Sequence, residues 1–234
     1  MELLDGLNYY MDDSEFWNFT SRLETAAKEV MKFIEEFGRS PSKEALSKAH
    51  TLLVKIELWK AGCIEELTGN YAVQNLESDV WNAFCDAVDA MNARKDGDAL
   101  LSIMRLKGFG KYPNEDFGNQ RPAKRATAVL RMFWPEKWGV VDWRTAGMLW
   151  ALKEKNWDVD QAIALAKLET KGMLKKEFAM INEDLACAFN QMYRDWRSVA
   201  PLSRTADVEM AVFGLSFIVW PLQLTSKAAR KRIA

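Results

Sequence analysis

The sequence predicts an all-α protein, on three observations. Apolar residues recur at helical spacing through most of the chain. No run alternates apolar and polar residues as a half-buried strand does. The 234 residues are 49% hydrophobic and include ten tryptophans and twelve phenylalanines, enough to bury a sizeable core within one helical unit, 1–234.

The first helix is expected from Asp13 to Phe37, with Phe16, Phe19, Leu23, Ala27, Val30 and Ile34 on one side and Gly38 as its stop. Ser40-Pro41 opens a second, with proline at the first helical position and Ala45, Leu46, Ala49, Leu52, Leu53 and Ile56 facing inward. Gly62 and Gly69 punctuate a short piece. Ser78-Asp79 then restarts the pattern through Val80, Trp81, Phe84, Val88 and Met91 as far as Lys95-Asp96-Gly97. A short helix from Asp98 to Leu106 runs into Gly108-Phe109-Gly110 and a polar loop. From Pro122 a further helix carries Ala123, Ala126, Val129, Leu130 and Phe133 on its packed side, ending before Pro135. Trp143–Leu152, Val159–Leu168 and a long helix from about Leu174 to Val199 follow. The last begins near Thr205, where Asp207 and Glu209 suit a helix N-terminus.

Composition narrows the function. The formal charge is −1, so contact with nucleic acid has to come from a local basic patch. Cys63, Cys85 and Cys187 are far apart, which disfavours a clustered zinc or iron–sulfur site and fits reduced, buried thiols. His50, the only histidine, offers neither a histidine metal site nor a Ser-His triad and reads as a helix-surface residue. Glu2, Asp5, Asp12 and Asp13 near the N-terminus are unlike the basic start of an export signal. Met210 to Leu222 is apolar but shorter than the roughly 20 residues that span a bilayer. A cytoplasmic, monomeric protein is the expectation, nucleoid-associated if prokaryotic.

The chemistry-bearing stretch is 98–144. Leu106-Lys107-Gly108-Phe109-Gly110 is a helix running into a glycine turn. Pro122-Ala123-Lys124-Arg125-Ala126 opens the next helix. Gly139-Val140-Val141-Asp142-Trp143-Arg144 is a hydrophobic turn that ends on an acid at a helix start. Two glycines flanking one apolar residue permit a sharp turn whose N–H groups can meet phosphate, although an ordinary interhelical turn uses the same residues. Asp142 alone reads as a helix N-cap. From Arg105 to Arg144 nine basic residues stand against four acidic ones, a net +5 in a nearly neutral chain.

The order of these parts resembles the helix-hairpin-helix DNA glycosylase superfamily, with its Leu-x-Gly-x-Gly hairpin, Lys-x-Ala helix and Val-Asp segment. Within that superfamily the chain looks most similar to 8-oxoguanine DNA glycosylase-like proteins, on Asp207-Val208-Glu209-Met210-Ala211-Val212-Phe213. The resemblance implies two helical lobes flanking a cleft, and an enzyme that excises a modified base from duplex DNA. Asp142 would stabilise positive charge on the sugar. Lys124, 18 positions earlier, would form a Schiff base and support strand cleavage, with Lys111 as second candidate. Gly108, Phe109, Gly110, Lys111, Arg121, Arg125 and Arg144 would meet DNA, and Trp134, Trp138 and Trp143 would line a base pocket. No metal or organic cofactor is implied, though relatives hold a monovalent cation on hairpin carbonyls. The segment from Lys111 to Arg121 departs from the family pattern as an insertion of about a dozen residues. That enlarged hairpin also suits a non-catalytic module that binds DNA or a protein partner.

Overall fold

A computed structural model describes residues 14–60, 71–110, 123–168, 181–198, 202 and 204–220. These form nine α-helices: α1 (Ser14–Phe37), α2 (Lys43–Lys60), α3 (Glu77–Asn92), α4 (Asp96–Met104), α5 (Lys124–Phe133), α6 (Trp143–Glu154), α7 (Val159–Leu168), α8 (Glu183–Arg197) and α9 (Thr205–Val219). A 3-10 turn, Ala72–Gln74, precedes α3. No described helix is long and apolar enough to cross a membrane.

The helix ends follow from local chemistry. Gly38 takes φ +54° and donates its N–H to the Ile34 carbonyl, closing α1 in a left-handed turn that glycine adopts at little cost. Ser42 Oγ accepts from Ala45 N at 3.1 Å, so α2 is capped by Ser42 and starts two residues beyond Pro41. Asn182 caps α8 by accepting from Leu185 N. This moves the start of that helix from the expected Leu174 to Glu183, residues 169–180 lying outside the described part.

Helix α5 organises the first half by packing against α1, α2 and α4, while α6 packs on α7, α8 and α9 and α8 reaches back to α4. Every residue of α5 from Ala126 to Phe133 is buried, Arg131 and Thr127 included. The expected one-sided stripe is therefore too narrow: neighbours on several sides leave α5 no solvent face beyond its first turn. Helix α9 is buried in the same way from Ala206 onward, with only Asp207, Phe213, Ile218 and Val219 partly open. Tryptophan side chains tie elements together. Trp59 Nε1 donates to Thr20 Oγ1, Trp81 Nε1 donates to the Gly38 carbonyl, and Trp157 stacks on Trp196 at 4.9 Å between centroids. Cys85 is buried and Cys187 half-buried, both as free thiols, and burial raises both above the ordinary thiol value, Cys187 to about 11.

Candidate functional site

The segment 139–142 enters α6 through the middle of the protein, and each of its residues is held by a side chain from elsewhere. Gly139 N donates to Asn190 Oδ1 at 2.7 Å, Val141 N donates to Thr127 Oγ1 at 3.1 Å, and Tyr193 OH donates to the Val140 carbonyl at 3.0 Å. Asp142 completes a capping box. Its Oδ1 accepts from Arg144 N at 3.0 Å and Thr145 N at 3.3 Å, and its own N–H donates to Thr145 Oγ1. Extended backbone at Asp142 (φ −133°, ψ 178°) aims the carboxylate along the first turn of α6, where exposed N–H groups favour a negative charge.

The other oxygen, Oδ2, accepts from Lys60 Nζ at 2.6 Å. Lys60 is the last residue of α2, so a helix C-terminus delivers a cation to the acid at a helix N-terminus, the favourable end for each charge. Both side chains keep a narrow opening to solvent, 17% for Lys60 and 13% for Asp142. Burial disfavours the Asp142 charge, but the Lys60 ammonium and the two backbone donors outweigh it and hold the carboxyl below its ordinary value. The pair thus presents an ionised carboxylate and an amine at one small opening, with the Phe213 ring 5.9 Å from the ammonium.

A second carboxyl lies behind them. Glu209, in α9, is buried and its Oε2 has no hydrogen-bond partner among the described residues; Arg131 Nε stands 3.7 Å away. Burial pushes Glu209 up to about 7, against the pull of Arg131 and Lys60 and with the help of the Asp142 charge. Glu209 was expected among the acids of a helix N-terminus. It is instead a core residue, because that side of α9 turns inward. Tyr193 is also pushed well up, by burial and by Glu209.

The other sequence-predicted residues are distributed differently. Lys124 begins α5 and its side chain is exposed. Arg125 Nη1 donates to Glu57 at 3.0 Å and to the Gly108 carbonyl, and its guanidinium lies 5.0 Å from the Tyr71 ring. Arg144 is buried between Trp143 and Phe217 and donates to the Trp220 carbonyl at 2.8 Å, so its guanidinium is engaged inside the fold rather than displayed for phosphate. Arg131 is fully buried and donates to Glu24 at 2.6 Å. The basic surface is therefore smaller than the count over 105–144 suggests.

The hairpin glycines are packed into the fold. Gly108 has φ +81°, and a Cβ there would collide with Tyr71 Cβ; a Cβ at Gly110 would fall 2.6 Å from Met104 Cβ. Phe109 is fully buried, and both flanking glycines are buried with it. Lys111 and Arg121 lie outside the described residues. Trp138 is fully buried, whereas Trp134 and Trp143 are half-buried, and Trp143 packs on Trp220 at 5.6 Å. The Trp143 ring, next to Asp142, meets Trp220 and the Arg144 guanidinium; Trp138 is core. A cleft of about 530 Å³ opens beside the hairpin, walled by Asn75, Asp79, Asn82, Asp86, Arg105 and Lys107, and Asp142 is not among its walls.

Sequence reasoning missed Lys60. It lies 82 residues from Asp142, inside an amphipathic helix whose charged residues look alike, and only the packing of α2 against α5 brings it to the carboxylate. No group of three or more histidine, cysteine or acidic side chains suited to a metal occurs among the described residues. No family model, curated protein or solved structure matches this chain.

Proposed function

We propose that the protein is a DNA glycosylase of the helix-hairpin-helix type, acting on a modified base in duplex DNA, with Asp142 as the catalytic carboxylate. The observation that carries this reading is the Asp142 carboxylate: ionised, fixed by two backbone donors, paired with an amine and left with a narrow opening. Departure of a base develops positive charge at C1′ of the sugar. A carboxylate held in place before the reaction, in surroundings that exclude most water, stabilises that charge more strongly than a mobile solvated one. The two helix sets, α1–α5 and α6–α9, would form the two lobes, with duplex DNA across the cleft between them. The exposed Lys107 and Lys124 would contact phosphate.

A second reading has its own observation. Asp142 satisfies a capping box, and the hairpin glycines pack on Tyr71 and Met104, so the same residues serve a purely structural helix-hairpin-helix module that binds DNA or a partner without chemistry. The two readings separate on duplexes carrying single oxidised, deaminated or alkylated bases. The enzyme releases a base from at least one of them, and Asp142→Asn, which keeps a good N-cap, loses that release by ~100-fold or more, on the scale of removing one electrostatic stabiliser. Salt-sensitive DNA binding with no base release across the panel establishes the module instead.

A further inference from the structure

We infer that Lys60, rather than Lys124, is the amine that reacts at the sugar beside Asp142. The assignment rests on the reading of this site as one that acts at C1′ of a nucleotide. Its basis is placement. Lys60 Nζ already touches the carboxylate at 2.6 Å, so a C1′ atom brought to Asp142 is also brought to this amine. The Lys124 side chain, by contrast, is exposed at the start of α5. Lys60 sits at the end of an amphipathic helix, anchored through Trp59, which hydrogen-bonds Thr20 and lies 5.4 Å from the Arg131 guanidinium; its backbone position is therefore fixed. Its ammonium has an acceptor at hydrogen-bond distance, and its side chain retains solvent access.

The step balances with water. Asp142 stays a carboxylate that holds the Lys60 side chain; the ammonium gives one proton to water, leaving a neutral amine whose lone pair attacks C1′. On an abasic sugar in its aldehyde form, the N–C1′ bond forms as the carbonyl π electrons move to oxygen, which takes up a proton from water. The resulting carbinolamine loses water to give an imine, and borohydride delivers hydride to the imine carbon, fixing a secondary amine. On an intact modified nucleotide, the glycosidic bond breaks with its electron pair leaving on the base, which takes up a proton from water, as the N–C1′ bond forms and the Asp142 carboxylate faces the positive charge on the sugar.

The test is borohydride trapping of the full chain on a duplex carrying one abasic site, followed by peptide mapping of the adduct. Wild type, Lys60→Arg and Lys124→Arg are compared, and base release from modified duplexes is scored separately. Arginine at 60 keeps a cation beside Asp142 but cannot form an imine, and its thermal unfolding is recorded alongside to establish that the variant is folded. The expected result is an adduct on Lys60 in wild type and Lys124→Arg, and its loss in folded Lys60→Arg. An adduct mapped to another amine, undiminished trapping in Lys60→Arg, or no adduct at all overturns the assignment. Base release without an adduct on Lys60 overturns the role of Lys60 and leaves the glycosylase reading standing. An adduct on Lys60 without base release from any modified duplex supports the amine and rejects the glycosylase.

Discussion

A Cβ on Gly139 would lie 2.5 Å from the Cβ of Glu209 and 3.1 Å from the Tyr193 ring, so the turn into α6 is pressed directly onto α9 and α8. That closeness explains how a short segment, 139–142, can place one carboxylate accurately. Its backbone is bonded by Asn190, Thr127 and Tyr193 and then locked by the capping box. Bonds from three helices, α5, α6 and α8, fix where Asp142 points before any ligand arrives.

Gly139→Ala is expected to destabilise the protein by about 1–3 kcal/mol, the usual cost of forcing atoms into a filled core. The backbone at Gly139 is not left-handed, so the effect is steric and arises from Glu209 and Tyr193. Urea unfolding of the two proteins measures it. A variant as stable as wild type would show that α9 can shift away from the turn.

The order and extent of the helices were largely legible in the sequence, because burial against neighbours imposes helical periodicity. Val159–Leu168 is found at its expected bounds, and Asp142 is the helix cap its position implied. Two kinds of information were not legible. Periodicity describes an amphipathic helix, so it under-reports one enclosed on several sides; Arg131 was counted with the basic surface although α5 leaves it no exposure. Pairing across the chain is a tertiary property. The partners Lys60–Asp142 and Glu24–Arg131 are separated by 82 and 107 positions, and no local pattern announces either.

Arg131→Met is expected to cost about 3 kcal/mol, the lower part of the range for breaking a buried ion pair. Glu24 keeps Arg204 at 2.7 Å after the change, which limits the loss, whereas Glu209 loses the guanidinium 3.7 Å away. Chemical denaturation gives the value. The further change Glu209→Gln in the same chain should recover part of it, since it removes a buried acid that has lost the guanidinium 3.7 Å away.

Glu209→Gln alone is expected to change how stability depends on pH. The groups around Glu209 are Arg131 from α5, Lys60 from α2, Asp142 ahead of α6 and Tyr193 from α8. Its carboxyl sits at about 7 in the fold, against 4.5 for an ordinary glutamate, so between these values the native state binds more protons than the unfolded chain. Relative stability is then full below about pH 4.5 and falls as pH rises towards 7. Glutamine carries no such charge. Its stability relative to wild type should grow from about pH 4.5 to about pH 7 and level off above, as followed by urea midpoints across that range. A difference that is constant with pH would place a carboxylate, not a neutral acid, in the core at every pH sampled.

Asp142→Asn reverses the sign. The wild-type carboxyl lies below its ordinary value of 3.8, so the native state binds fewer protons than the unfolded chain, and the stabilisation is fully present above about pH 3.8. It disappears as pH falls through the lower native value. Asparagine preserves the cap but removes the charge that Lys60 meets at 2.6 Å, a loss of about 1–3 kcal/mol at neutral pH, typical of hydrogen bonds to charged groups. The gap between the two proteins should therefore stay constant from pH 7 to about pH 5 and close under more acid conditions. This stability profile is independent of any DNA chemistry. If the gap persists at the lowest pH at which both proteins fold, the stabilisation does not come from the Asp142 charge. Closure on acidification would attribute that stabilisation to the ionised carboxylate held between Lys60 at the C-terminus of α2 and the Arg144 and Thr145 donors at the N-terminus of α6.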